Sequence, residues 1–158
     1  MLPQLKIRPR HHTQTVASIE ALPNPHFERA YRFWLDARTD ELPPETAIDP
    51  LKLPRELLAH VTIITVHDGP KRFFIRLVGT AIVNATGVEL TGQYAEDIAV
   101  GESIVQRYST CLAKRVPMYC EGPCLASLVD YKSYDCLVLP FGDAAGRVSR
   151  FLTYIEFY

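Results

Sequence analysis

Arg72-Phe73-Phe74-Ile75-Arg76-Leu77-Val78-Gly79-Thr80-Ala81-Ile82-Val83-Asn84-Ala85-Thr86-Gly87 changes character halfway along. Its first half is an apolar, aromatic-rich run of strand length. Gly79-Thr80 interrupts it. Thr80 then serves as a candidate N-cap for a short helix over Ala81 to Ala85, and Gly87 suits a left-handed exit. A strand that hands over to a short helix lying back across its own sheet is a way to build a pocket. Arg76 is the odd residue in the run. If buried it needs a carboxylate, a carbonyl or a ligand. Two readings stand for it: recognition of a carboxylate or phosphate by its planar fork, or a structural salt bridge or outer-face position.

Upstream, Val61-Thr62-Ile63-Ile64-Thr65-Val66 is a β-branched strand. His67-Asp68-Gly69-Pro70 is a turn by composition, so the two strands pair as an antiparallel hairpin. Further upstream, Asn24-Pro25 caps and opens a helix expected over about 25–38. Phe27, Ala30, Tyr31, Trp34 and Leu35 form its apolar stripe. That stripe either packs on the sheet or, through Phe27, Tyr31, Trp34 and Leu35, forms a dimer or partner surface. Leu42-Pro43-Pro44-Glu45 reads as a linker, and Leu51, Leu53, Leu57 and Leu58 as one or two helical turns broken at Pro54. Residues 1–22 have no clear periodicity and read as a flexible tail preceding a single domain of residues 23–158.

Downstream, Ala95-Glu96-Asp97-Ile98 gives a turn of helix. A longer helix over about 103–116 places Ile104, Val105, Tyr108, Cys111 and Leu112 inward, with Arg107, Lys114 and Arg115 outside, and Pro117 ends it. Met118–Glu121, Asp135–Leu139 (ended by Pro140) and Phe151–Phe157 are strands, the last apolar on both faces as a central strand is. Helices and strands fall in blocks, so the class is α+β with an antiparallel sheet.

The chain has 158 residues, 47% hydrophobic and 22% charged, with a formal net charge of −1. That fits one domain with a sizeable core and argues against a nucleic-acid partner, which favours a basic excess. No run approaches the roughly 18 apolar residues of a membrane span, and no apolar core of signal-peptide length opens the chain. A cytoplasmic location is expected. Cys111, Cys120, Cys124 and Cys136 include no C-x-x-C pair, so neither a disulfide nor a metal site is expected. Motifs for nucleotide binding, zinc peptidases and serine hydrolases are absent, and no catalytic residue is assigned.

Taken in order, Tyr31-x-x-Trp34, Ile48-Asp49-Pro50-Leu51-Lys52-Leu53-Pro54, Phe74-Ile75-Arg76-Leu77-Val78-Gly79-Thr80 with Gly87-x-x-Leu90-Thr91-Gly92, and Leu137-Val138-Leu139-Pro140-Phe141 resemble the PAS superfamily. Within it they are similar to a bacterial PAS-like family, the PAS_5 type. The resemblance covers roughly residues 25–158. It implies a five-stranded antiparallel sheet in the order 2-1-5-4-3, helices over one face and an extra N-terminal helix outside the core. It also implies a sensory, signalling or interaction role without catalysis, often as a dimer. The cofactor is left unknown: the flavin-photosensor Asn-Cys-Arg-Phe motif is absent, and no histidine falls in helix 103–116 for a haem. His60 and His67 flank the first strand and read as strand-end residues.

A pocket is expected between the sheet and the helices of 80–116, with Arg76, Tyr94, Tyr108, Cys111, Tyr119, Cys136 and Tyr154 as candidate ligand contacts. The leading expectation is a homodimeric sensor that binds a small molecule and signals to a separate protein. The alternatives are a cone-pocket enzyme of isomerase or hydratase type, which needs a buried carboxylate facing Tyr108 or Tyr154, and an interaction module with a filled core.

Overall fold

The computed structural model describes residues 11–99, 101–124, 131 and 133–158. Strand β1 is His12–Thr15, followed by helix α1 (Pro25–Ala37) and the short α2 (Arg55–Leu58). The hairpin β2 (Val61–Val66) and β3 (Phe73–Val78) leads into α3 (Thr80–Thr86) and α4 (Glu102–Lys114). Strands β4 (Met118–Pro123), β5 (Ser133–Gly142) and β6 (Val148–Phe157) close the chain. All pairings are antiparallel, in the order β1-β4-β5-β6-β2-β3.

Strands β2 to β6 carry the order the resemblance implies, and β6 is central as its two apolar faces require. The sheet has six strands, not five. His12–Thr15, within the stretch read as a tail, pairs with β4 from His12↔Glu121 to Thr15↔Met118. Without it β4 would be an edge with a row of open backbone donors and acceptors. That pairing uses main chain, so it leaves no apolar alternation for a sequence reading to find. Residues 1–10 of the expected tail lie outside the described residues.

The successive residues Thr153 and Tyr154 of β6 define the two faces, since neighbouring strand side chains point opposite ways. Thr153 meets Tyr108 of α4, and Tyr154 packs edge-on against Phe27 of α1 with ring centroids 4.9 Å apart. So α4 covers an inner face and α1 an outer one. The leading helix is therefore a full wall of the core: Phe27, Ala30 and Trp34 are all buried. Asn24 caps it, its Oδ1 accepting from the backbone N–H of His26 and Phe27.

Two local expectations are corrected. Helix α3 begins one residue early, with Gly79 rather than Thr80 at the cap and no side-chain cap bond. Gly79 lies so close to the Ala59 carbonyl that no side chain fits there. Gly87 exits at φ 74° as expected. Pro140 does not end β5, which runs on to Gly142. The β4–β5 ladder stops at Met118↔Val138, so at Pro140 no strand lies on the β4 side to miss its N–H.

The Pro140 carbonyl instead accepts from Trp34 Nε1 at 2.6 Å, in a buried site. Trp34→Phe keeps an aromatic ring there but strands that carbonyl. We expect a loss of about 1–3 kcal/mol in urea unfolding, and an unchanged midpoint would show that the bond is idle.

Candidate functional site: a cavity under the inner face

A cavity of about 200 Å³ lies between the inner face and the helices α3 and α4. The sheet contributes Thr62 and Ile64 from β2, Ile75 and Val78 from β3, and Ile155 and Phe157 from β6. Ile82 of α3, Leu90, Ile98 and Ile104 of α4 close it. The wall follows from two periods meeting: alternate residues of β2 and β6 face inward, and the stripe of α4 recurs every three to four residues, while on β3 a register shift opposite Ile63 and Ile64 breaks the alternation between Ile75 and Val78.

Besides Thr62, Thr86 and Ser103, the polar part of the wall holds one connected set. Arg107 Nη2 donates to the Tyr134 hydroxyl at 2.6 Å, and the guanidinium also lies over the Tyr134 ring, 4.8 Å from its centroid. The same hydroxyl is 2.8 Å from His11 Nδ1. Burial pushes the Tyr134 phenol up to about 12, and burial followed by the Arg107 charge lowers the His11 pKa. Since Arg107 donates to the phenol oxygen, the phenol proton is available to Nδ1 of a neutral His11. Tyr108 sits between Phe73 and Phe151 and shares a 2.7 Å hydrogen bond with Thr153 Oγ1. Burial raises its pKa.

Behind this wall, Cys111, Cys120 and Cys136 are buried and free. Cys120 and Cys136 stand directly opposite on β4 and β5. Hydrogen bonds from Cys111 and then Cys136 lower the pKa of Cys120, burial opposes them, and Arg107 adds to the lowering. The hydrogen bond to Cys120 and burial raise Cys111, and burial above all raises Cys136. Among the described residues no group of three or more histidine, cysteine or acidic side chains is placed to hold a metal.

Of the candidate ligand contacts, the structure brings only Tyr108 to the cavity wall. Cys111 and Cys136 lie in the core behind it. Tyr119 and Tyr154 point to the outer face, where both pack on Phe27. Tyr94 stands outside the cavity, bonded to His67 Nδ1 at 2.7 Å and packed on Phe74. Arg76 is exposed on β3, and neither His60 nor His67 lines the cavity. Of the α1 stripe, Phe27 and Trp34 are buried in the fold while Tyr31 and Leu35 are half-buried.

Sequence reasoning missed Arg107, Tyr134 and His11. The signal for Arg107 was present: it lies three residues after Ile104 and four before Cys111, on the inward stripe, and was placed outside only because it is charged. Nothing local marked His11, which reaches Tyr134 across a separation of 123 residues.

A family model described as PAS domain, of the PAS_5 type, matches residues 23–156. No curated protein matches the chain. Ten chains among solved structures do. One, described as the structure of an RNA-binding light-oxygen-voltage receptor, is 15% identical with a TM-score of 0.55. The match covers 94% of this chain and 39% of that one, so this chain spans about two-fifths of the receptor's length. At that identity the likeness is one of fold.

Proposed function

Because this chain belongs to the PAS domain family, we propose that it is a non-enzymatic sensory domain that binds a small molecule between sheet and helices. The observation that carries this reading is the cavity of about 200 Å³ whose wall is mainly apolar with a few convergent polar groups. Sites for drug-sized ligands run to roughly 300–1,000 Å³, so the occupant is metabolite-sized.

The way out for a signal is short. Tyr108 on the cavity wall bonds to Thr153, and the next residue, Tyr154, carries Phe27 of α1. A ligand that displaces Tyr108 thus acts on β6 and, through it, on the helix covering the opposite face. In this proposal α1 passes the event to a separate protein or to a second copy of the chain, with Tyr31, Phe33 and Leu35 among the apolar residues it still exposes in part. Among the described residues no helix is long and apolar enough to cross a membrane, in keeping with a proposed cytoplasmic setting. The cone-pocket enzyme reading draws no support from Tyr108 or Tyr154. Tyr108 faces a hydroxyl, and the Glu156 carboxylate that accepts from Tyr154 at 3.1 Å lies on the outer face.

Gently purified protein should carry an extra mass, up to a few hundred daltons per chain, in native mass spectra. Stripping that ligand by unfolding and dialysis should lower the melting temperature, because a ligand held only by the folded state stabilises it. A clean apo mass at twice the monomer, with no change on refolding, would replace the sensor reading with an interaction module.

A further inference from the structure

We infer that the cavity is shaped for a small monocarboxylate, with its carboxylate on the Arg107 guanidinium and an apolar body along Ile64, Ile75 and Ile104. This rests on the ligand-sensing reading above and adds the chemical class of the ligand.

A charge in an apolar place is costly unless it is paired. Among the described residues, Arg107 is the one arginine or lysine on a wall otherwise made chiefly of Ile, Val, Leu and Phe. A guanidinium stays protonated at any physiological pH, so it cannot escape the cost by losing its proton. It must find partners. The described residues supply a phenol oxygen, an aromatic face and, behind it, the thiol cluster, with no carboxylate within ion-pair distance. Only one nitrogen of the fork has a hydrogen-bond partner among them.

The held geometry favours recognition. Tyr134 is fixed through its hydroxyl to His11 and through its ring to the guanidinium, so the fork is restrained before any ligand arrives. A preorganised planar fork matches the two oxygens of a carboxylate with paired charge-assisted bonds. Among the described residues the cavity carries no second arginine or lysine, which suits one negative charge rather than a di- or triphosphate. His11, held neutral by burial and by Arg107, adds no charge. The long apolar remainder of the wall rewards a hydrocarbon or aromatic body and gives a polar sugar few partners.

The test is calorimetric titration of the wild-type protein, stripped of endogenous ligand, with straight-chain acids of four, six and eight carbons and with the matching primary alcohols. Wild type should bind the best-fitting acid about 10-fold or more tightly than its alcohol. Arg107→Gln should lose that preference and bind acid and alcohol alike, and Arg107→Lys should keep part of it, because a point charge cannot make the paired contact. In nitrogen-15 spectra the acid, and not the alcohol, should shift the Arg107 side-chain N–H resonance. Equal binding of acid and alcohol by wild type would leave the ligand pocket standing and overturn the carboxylate assignment. Failure of both series to bind would overturn the pocket reading as well. The acid-against-alcohol comparison needs no variant, so a poorly folding Arg107→Gln does not protect the inference.

Discussion

Gly79→Ala is expected to cost the domain about 3–5 kcal/mol, enough to unfold a marginally stable protein. The residue closes the β3–α3 corner. Its own N–H donates to the Val61 carbonyl at 2.8 Å, and the Ala59 carbonyl beside it accepts from Ala81 at 2.9 Å. A Cβ built on Gly79 would overlap the Ala59 carbonyl and come within 2.9 Å of the Leu58 oxygen. Both are backbone atoms, and the Ala59 oxygen is committed to a hydrogen bond, so no flexible side chain can move aside. The backbone itself is ordinary, with φ −64°, so the penalty is one of space and not of a left-handed conformation. Overpacking costs typically 1–3 kcal/mol, and each hydrogen bond lost as the corner opens adds about 1 kcal/mol. Gly146→Ala is the contrast. There φ is +79° but nothing lies within 4 Å of the added atom, so only the conformational cost of about 1–2 kcal/mol applies. Urea unfolding of the two variants should separate them clearly, and Gly79→Ala no worse than Gly146→Ala would show that the corner has room to relax.

That corner was visible in the sequence because its signals are local. An apolar run, a glycine, a short apolar helix and a second glycine fix a strand, a turn and a helix within sixteen residues. The same holds for α1, with its Asn24-Pro25 start, and for β6, whose two apolar faces match its central place. The cavity's polar residues were not visible, because they are defined by contacts between distant segments. Arg76 and Arg107 exchange places for this reason. Arg76 interrupts an apolar strand and so looks buried, yet β3 is an edge strand and leaves it exposed. Arg107 looks like one of several basic residues on an amphipathic helix, yet Tyr134 and His11 come from β5 and the chain start to receive it. The alternation rule was also incomplete by itself. It divides Thr153 from Tyr154 and Cys120 from Tyr119, but it does not say which set faces α4 and which faces α1. Residue type alone points Tyr119 and Tyr154 to the cavity, yet both fall on the other side, against Phe27.

The division between faces bears on the second large effect. Phe27→Ala is expected to destabilise the protein by about 3–5 kcal/mol at every protein concentration. Phe27 is fully buried and stands edge-on to two rings, Tyr154 at 4.9 Å and 87° and Tyr119 at 5.9 Å and 70°. Edge-to-face pairs add about 0.5–1.5 kcal/mol beyond area burial, so truncation loses both the packing and the ring geometry and leaves a void over β6. The concentration dependence separates the two roles the α1 stripe was given. If α1 is a wall of the monomer, as the burial of Phe27 and Trp34 indicates, Phe27→Ala lowers the melting temperature by a similar amount at every concentration. If the stripe were instead a seam between two copies, stability would rise with concentration by mass action, and Phe27→Ala would give a stable monomer rather than an unstable one. Tyr31→Ala serves as the complement: its ring is half-buried, stacked on Trp34 at 6.2 Å, and its loss should cost the monomer less than Phe27 does. Where native spectra show wild type as a dimer, a Tyr31→Ala variant that melts close to wild type yet stays monomeric would place self-association on the part of α1 that the sheet leaves free. A dimer unchanged by Tyr31→Ala would move the contact to another surface while leaving the role of Phe27 as it stands.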